Sequence, residues 1–174
     1  MQAEIIAIGS ELTSGAKLDT NSQWLSLELA ELGIPVHYHT TMADSLDAMT
    51  ETMRIAVDRS DLVFVTGGLG PTLDDITREA IAALAGVELE LNEESLSHIR
   101  ELFARRQREM PERNEIQAMF PVGSRPISNP RGSAPGIWRE FVREGRGSQL
   151  IAMPGVPSEM KRMYKHEVLS LIHI

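Results

Sequence analysis

Cysteine is absent from the 174-residue sequence, which excludes disulfide bonds and thiolate metal sites. No stretch approaches the roughly 18 consecutive apolar residues that a transmembrane helix needs. The first residues, MQAEIIAIGSEL, lack a basic segment followed by a long apolar run, so no signal peptide is predicted. Together these absences predict a cytoplasmic protein.

Positive charge is also scarce, since 17 Lys and Arg residues face 25 Asp and Glu residues and give a formal net charge of −8. We therefore expect no nucleic-acid partner and no membrane partner. A small anionic ligand is still compatible with this charge, because loops and metal ions act locally. The hydrophobic content of 42% is typical of a globular protein, and no linker divides the chain, so a single domain over residues 1–174 is predicted.

The first half of the chain alternates short apolar strands with amphipathic helices. Strands are predicted over Glu4–Gly9, Val36–Thr41 and Asp61–Thr66, and helices over 21–32, from Ser45 onward and around 76–84. Such alternation with short connections predicts an α/β fold whose parallel sheet is covered by helices on both faces. The loops that begin at Gly9, near Thr41 and at Gly67 should then meet at the carboxyl edge of the sheet, where ligands bind.

The second half is less regular. Asn92 is predicted to cap a helix, and a Pro/Gly-rich stretch covers residues 121–136. Two strands are predicted over 137–142 and 149–153, joined by a polar turn, and the segment PGVPSEM is predicted to begin a last helix.

The loop TGGLGPTLDDIT, residues 66–77, is the first candidate for ligand binding. Gly67, Gly68 and Gly70 permit positive φ angles and a close approach of the backbone to a ligand. Their N–H groups, together with the start of the next helix, could bind an anion. The loop is neither a Walker A motif nor a G-x-G-x-x-G motif. The alternative is a tight turn between strand and helix that binds nothing.

Four acidic residues are candidates for the chemistry. Thr72 and Asp75 have the spacing of a helix-capping box, whereas Asp74 and Asp75 together would suit a divalent cation that bridges to a phosphate. Glu11 and Asp44 follow the first two strands, and each could instead be a solvated or capping acid. If all four acids lie at one edge, their negative charges repel one another unless a cation or N–H donors compensate.

The segments GSELTSGAKLDTNSQWLSLELAELG, TGGLGPTLDDITREA, NPRGSAPG and MPGVPSEM resemble the N-terminal domain of the CinA (competence/damage-inducible protein) family. That domain is similar to the molybdopterin-binding fold of MogA, MoaB and MoeA. The resemblance extends from about Glu4 to about Val168. Full-length CinA proteins carry a second domain with deamidase activity, which has no counterpart in this sequence, so we do not expect that activity.

The resemblance implies a three-layer α/β/α sandwich with a mostly parallel sheet, and a pocket formed by the GSEL, Asp44 and GGLGPT loops. It implies that Asp44 and Asp75 match aspartates that are essential in the molybdopterin proteins. The expected catalytic residues are Asp75, Asp74, Asp44 and Glu11, of which Asp74, Asp75 and Glu11 would bind the metal. The expected phosphate and substrate contacts are Thr66, Gly67, Gly68, Leu69, Gly70, Pro71, Thr72, Asn129, Gly132, Ala134, Pro135, Gly136, Pro154 and Gly155.

CinA-type domains are described as metal-dependent pyrophosphatases, so the leading hypothesis is hydrolysis of ADP-ribose or a related nucleoside diphosphate compound with Mg²⁺, Mn²⁺ or Co²⁺. The alternative is a protein of molybdenum-cofactor synthesis that binds or adenylylates molybdopterin. A second alternative is a non-catalytic domain that dimerises. The resemblance also implies a homo-oligomer, either a dimer or a trimer.

Overall fold

The computed structural model describes residues 1–143 and 145–172. Within these residues the strands are β1 (Ala3–Ile8), β2 (Val36–Met42), β3 (Leu62–Thr66), β4 (Leu89–Leu91), β5 (Met119–Pro121), β6 (Arg125–Ile127), β7 (Gly136–Arg143) and β8 (Arg146–Met153). The α-helices are α1 (Ser10–Thr13), α2 (Thr20–Glu31), α3 (Leu46–Arg59), α4 (Thr77–Ala85), α5 (Glu93–Arg105), α6 (Pro157–Met163) and α7 (Leu169–Ile172). A 3₁₀ helix spans Glu112–Ala118, and a π-helical turn, Tyr164–Val168, joins α6 to α7.

Six strands form one sheet in the order β2-β1-β3-β8-β7-β6. β1 pairs in parallel with β2 and β3, and β3 pairs in parallel with β8. β7 pairs antiparallel with both of its neighbours, so it runs against the other described strands of this sheet. The prediction of a mostly parallel sheet is therefore confirmed. β4 and β5 form a separate antiparallel ribbon.

Helices cover both faces of the sheet. Ile6 on β1 packs with Met49 and Met53 of α3 and with Ile81 of α4, whereas Ile5 packs on the opposite face in the cluster that contains Leu25 of α2, Met160 of α6 and Tyr164. Every residue of β1 and β3 is buried, which explains their continuous apolar sequences. The three-layer α/β/α architecture is confirmed. None of the described helices is long and apolar enough to cross a membrane.

The predicted elements differ from the structure mainly where they are short. The three-residue strands β4, β5 and β6 and the 3₁₀ helix were not predicted, because so few residues show no readable periodicity. The predicted polar turn between β7 and β8 includes residue 144, which lies outside the described residues. Asn92 caps α5 through a hydrogen bond from the N–H group of Ser95, as the sequence predicts, and Asp19 caps α2 through one from the N–H group of Ser22.

A buried ion pair fixes the amino edge of the sheet. The Glu4 side chain on β1 is fully buried, and Arg59 at the end of α3 donates to it from Nε at 2.9 Å and from Nη2 at 2.7 Å. The Arg59 guanidinium carbon also lies 3.6 Å from the centroid of the Tyr38 ring on β2. Arg59 therefore links α3 to two strands while it compensates a carboxylate that would be costly to bury alone.

Gly67 fixes the opposite edge, where the chain leaves β3. Its φ is +100°, and a Cβ atom at this position would overlap the backbone oxygen of Ile8. Its N–H donates to the Met153 carbonyl at 3.0 Å. The backbone of the loop thus lies between the ends of β1 and β8, and only glycine fits there.

We expect Arg59→Ala to lower the free energy of unfolding by roughly 2–3 kcal/mol, because it leaves the Glu4 carboxylate buried without a cation. Arg54→Ala is the matched control, since Arg54 pairs with Glu51 and Asp58 on the exposed side of the same helix. The control should cost less than about 1 kcal/mol. Urea denaturation measures both values, and equal losses would contradict the special role of the buried pair.

We expect Gly67→Ala to cost more than about 2 kcal/mol, because strain at positive φ adds to the overlap with Ile8. Gly15→Ala is the control. Gly15 also has a positive φ, +77°, but a Cβ atom there would meet nothing within 4 Å. Its cost should be about 1 kcal/mol. A thermal or urea unfolding series that ranks Gly15→Ala as the more harmful variant would refute this assignment.

Candidate functional site

A cleft of about 790 Å³ opens at the carboxyl ends of β1, β2, β3 and β8. This is the edge that the order of strands and helices predicts. The structure brings together, as lining residues, these members of the predicted site: Glu11, Asp44, Gly67, Gly68, Leu69, Gly70, Pro71, Asp74, Asp75, Ala134, Pro154 and Gly155.

The other predicted contacts lie behind or beside this lining: Thr66, Thr72, Asn129, Gly132, Pro135 and Gly136. Thr66 is the buried last residue of β3, and Pro135 and Gly136 are buried where β7 begins. Asn129 acts as a brace, since its Oδ1 accepts from the N–H groups of Arg131 and Gly132 at 3.2 and 3.0 Å. These residues shape the wall of the cleft from behind.

The carbonyl groups of the glycine loop are bound from the side of α4. The hydroxyl of Thr77 donates to the Gly67 oxygen at 2.9 Å, and the N–H of Thr77 donates to the Gly68 oxygen at 3.1 Å. The guanidinium of Arg78 donates to the oxygens of Leu69 and Gly70. Three successive peptide groups, 67–68, 68–69 and 69–70, therefore turn their oxygens toward α4.

The N–H groups of Gly68, Leu69 and Gly70 consequently point away from α4, because C=O and N–H lie on opposite sides of a trans peptide. No acceptor in the described part of the chain takes these three N–H groups. All three residues line the cleft. Successive N–H groups of this kind form a cradle for an anion.

The free N–H groups of the cradle are not the ones that the three glycines predict. The N–H of Gly67 is bonded to Met153, and the N–H of Thr72 is bonded to Asp75 at 2.9 Å, so neither is free for a ligand. Gly67 and Gly68 have positive φ angles, but Gly70 does not. A Cβ atom on Gly70 would lie 2.5 Å from Asp75 Oδ2, so this glycine makes room for a carboxylate.

The two adjacent aspartates have different surroundings. Asp75 Oδ2 accepts from both the N–H and the hydroxyl of Thr72, the latter at 2.6 Å. The predicted Thr72–Asp75 contact therefore exists, but it closes a turn ahead of α4, which begins only at Thr77. Asp74 is exposed, and within residues 1–143 and 145–172 its carboxylate has no hydrogen-bond partner. The Asp74 carboxylate is thus available to a ligand.

Glu11 and Asp44 follow the carboxyl ends of β1 and β2, respectively. Asp44 Oδ2 accepts from the hydroxyl of Ser10 at 3.2 Å, which links the loops after β1 and β2. Asp44 is not a helix cap, since Ser45 occupies that position in front of α3. Glu11 folds back toward Gly9, where a Cβ atom would lie 2.6 Å from Glu11 Oε2. Both carboxylates therefore line the cleft.

A fifth carboxylate, Glu159, lines the cleft and was missed from the sequence. Its Oε2 accepts from the amide of Asn129 at 2.8 Å, and it occupies the space that Gly132 leaves without a side chain. Glu159 belongs to the segment PGVPSEM, of which only Pro154 and Gly155 were predicted to be site residues. Lys17 and Gln117 also line the cleft and were not predicted.

The buried Arg78 was missed as well. Its side chain is fully buried, its Nε has no hydrogen-bond partner among the described residues, and burial lowers its pKa to about 10. The guanidinium therefore stays charged at neutral pH. A single arginine after two aspartates gives no signal in the sequence, because only the folded loop brings its carbonyl groups to the guanidinium.

The charge of the cleft suits a cation that arrives with an anionic ligand. Five carboxylates and one lysine line it. The described residues provide no set of three His, Asp or Glu side chains arranged to hold one ion. Mg²⁺ is commonly held by only one or two carboxylates together with water and substrate phosphates. The donor set therefore fits a metal shared with a phosphorylated ligand.

Residues 4–173 match the family described as a probable molybdopterin binding domain. A CinA-like protein of Dictyoglomus turgidum is 47% identical over 169 residues, covering 97% of this chain. The chain spans 40% of that protein's length.

Among solved structures, CinA of Thermoplasma acidophilum, described as a protein of unknown function, has a TM-score of 0.87 and 32% identity over 98% of both chains. The tungsten cofactor synthesizing protein MoaB of Pyrococcus furiosus has a TM-score of 0.63 over 98% of this chain and 94% of its own. At 19% identity, MoaB shares the fold alone. The chain therefore belongs to the family described as a probable molybdopterin binding domain, and within it to the CinA proteins.

Proposed function

We propose that this domain is a metal-dependent nucleotide pyrophosphatase that hydrolyses ADP-ribose or a related nucleoside diphosphate compound. The observation that carries the proposal is the cradle of three N–H groups, at Gly68, Leu69 and Gly70, which have no acceptor in residues 1–143 and 145–172 and lie in a cleft lined by five carboxylates of that range. An anion cradle alone would suit any phosphate. Carboxylates beside it are favourable only when a cation lies between them and the phosphate.

The size of the cleft supports a ligand larger than inorganic phosphate. Its volume of about 790 Å³ falls within the range typical of pockets for drug-sized molecules. The cradle occupies one wall, next to the turn that contains Asp74 and Asp75, while Pro154 and Gly155 contribute another part of the lining. The volume therefore accommodates a ligand larger than a diphosphate alone, such as a nucleoside diphosphate compound.

The N–H groups of the cradle would bind the non-bridging oxygens of the diphosphate and stabilise the charge that develops on them. One or two of the carboxylates of Asp74, Asp75 and Glu11, together with the phosphate oxygens, would hold the divalent cation, Mg²⁺, Mn²⁺ or Co²⁺. When bound, such a cation lowers the pKa of a coordinated water and screens phosphoryl charge. Asp44, fixed by Ser10, would support this arrangement and accept a proton from the attacking water.

In the proposed reaction a water oxygen bonds to one phosphorus, and the bond from that phosphorus to the bridging oxygen breaks. The bridging oxygen leaves with the second phosphate, and the proton of the water passes to a carboxylate. ADP-ribose would yield AMP and ribose 5-phosphate. No oxidant or further reactant is needed.

A second candidate is the binding or adenylylation of molybdopterin. It is favoured by the family match over residues 4–173, since that family is described by this ligand. The phosphate of the pterin would occupy the same N–H cradle, and Asp44 and Asp75 would serve adenylylation. Both candidate functions therefore place a phosphate on the cradle, and they differ in the rest of the ligand, which is a nucleoside diphosphate compound in the first and a pterin in the second. A non-catalytic dimerising role is the third possibility, and the expected homo-oligomer stays a prediction.

We expect AMP release from ADP-ribose with Mg²⁺, Mn²⁺ or Co²⁺ and none with a chelator. Asp75→Asn and Asp74→Asn should each lower the rate by more than about 100-fold, because each removes a charge that holds the cation. The asparagine at position 75 retains an oxygen that can accept from Thr72, so the turn is preserved. Chromatographic quantification of AMP measures the rate.

Glu140→Gln is the matched control, because Glu140 is an exposed acid on β7 that lines a groove at the other end of the sheet. It should keep the full rate. Absence of AMP with every metal would contradict the proposal. Molybdopterin binding without turnover would then favour the second candidate, and indifference to nucleotides and pterins alike would favour the non-catalytic role.

A further inference from the structure

The positive charge of Arg78 is buried without a hydrogen-bonded carboxylate among the described residues. Its guanidinium is fully buried, and its described hydrogen-bond partners are the backbone oxygens of Leu69 and Gly70. No carboxylate in the described residues accepts a hydrogen bond from it, although the charges of Glu79 and Asp75 act on it from nearby. Its Nε has no hydrogen-bond partner in the part of the chain that the structure describes.

Such an arrangement is a poor way to gain stability. Removing an arginine charge from water is costly, and two neutral carbonyl groups offset only part of this cost. Replacing buried charged groups by apolar residues of similar volume is often neutral or stabilising. The presence of arginine at this position therefore indicates a requirement other than stability.

The contacts of Arg78 show what that requirement could be. The peptide groups 67–68 and 68–69 are fixed by Thr77, which donates to the oxygens of Gly67 and Gly68. The next peptide group, 69–70, has its oxygen bound by Arg78, with a longer contact of 3.4 Å from the Gln117 amide. Arg78 also binds the Gly70 oxygen at 3.3 Å. Arg78 therefore holds both peptide groups that flank Gly70.

The direction of the Gly70 N–H follows from these contacts. Because the Leu69 oxygen is bound by Arg78, the N–H of the same trans peptide points to the opposite side, away from α4. Pro71 has no N–H, so Gly70 supplies the last donor of the cradle. A positive charge behind the carbonyl also polarises the peptide and strengthens the N–H as a donor.

We propose that Arg78 is a positioning residue for a phosphate group, which it serves by fixing the Leu69–Gly70 peptide so that the Gly70 N–H faces the cleft. The inference rests on the proposed function only in that the glycine loop binds phosphate. It requires no hydrolysis, and it applies equally to a nucleotide or to a pterin phosphate. Arg78 does not touch the ligand itself and acts through the backbone.

We expect Arg78→Met to weaken the binding of inorganic pyrophosphate by about 10-fold or more in the presence of Mg²⁺, because one donor of the cradle is no longer fixed. The melting temperature should stay the same or rise. Leu29→Ala is the matched control, since Leu29 is a fully buried residue of α2 in the cluster on the other face of the sheet, away from α4 and the loop. It should lower the melting temperature and leave the affinity unchanged. Calorimetric titration and thermal unfolding of the same samples separate the two effects.

The amide signals of the cradle provide a second readout. In the wild-type domain, pyrophosphate should shift the ¹H–¹⁵N signals of Gly68, Leu69 and Gly70. Arg78→Lys keeps a positive charge but loses the planar guanidinium that donates to two carbonyl oxygens at once. In this variant the Gly70 signal should shift least of the three. If Arg78→Met does not fold, Arg78→Lys tests the positioning role of Arg78 in its place. Affinity and Gly70 shifts equal to wild type in the variants would overturn the inference.

The outcomes distinguish this inference from the proposed function. Wild-type binding of pyrophosphate without hydrolysis of ADP-ribose would contradict the pyrophosphatase and leave the role of Arg78 intact. Hydrolysis that is unchanged in Arg78→Met, with unchanged affinity, would contradict the role of Arg78 alone. Absence of pyrophosphate binding in the wild-type domain would overturn the role of Arg78, and only if AMP release were also absent would the pyrophosphatase be contradicted as well.

Discussion

The peptide groups between Gly67 and Gly70 are held by their carbonyl oxygens, and the candidate site depends on this restraint. Thr77 and Arg78, the first two residues of α4, donate to all of these oxygens. Three N–H groups at the edge of the sheet are thereby left without an acceptor among the residues that the structure describes. The cradle is thus a consequence of how α4 docks, and the apolar face of that helix, packed against β1 and β3, keeps it in position.

The second constraint is electrostatic. Five carboxylates line the same cleft as the cradle, and several are fixed by specific contacts, such as Asp75 by Thr72 and Glu159 by Asn129. Gly9, Gly70 and Gly132 each leave space that a neighbouring carboxylate occupies. Fixed acids beside an anion cradle repel a phosphate unless a cation lies between them, and this is the basis for the proposed metal dependence.

Much of the fold was predictable because its core elements have strong local signals. β1 and β3 are continuous apolar runs, and Asp19 and Asn92 are caps with side chains suited to that position. The short strands β4, β5 and β6 and the 3₁₀ helix were not predictable, since three or so residues have no period. The helix predicted around 76–84 agrees with α4, whereas the capping-box spacing of Thr72 and Asp75 marks a turn ahead of the helix, because these residues satisfy the same pattern in a turn as in a cap.

For the site, the sequence by itself determined which loops meet, because parallel strands joined by helices bring their carboxyl ends to one edge. It also identified the glycine loop and four of the five acids. Only the tertiary structure decided which N–H groups are free, that Glu159 joins the cleft and that Arg78 holds the loop from behind. Those features depend on the directions of individual peptide and side-chain groups, which are fixed by contacts between residues distant in the chain and have no signature in local sequence.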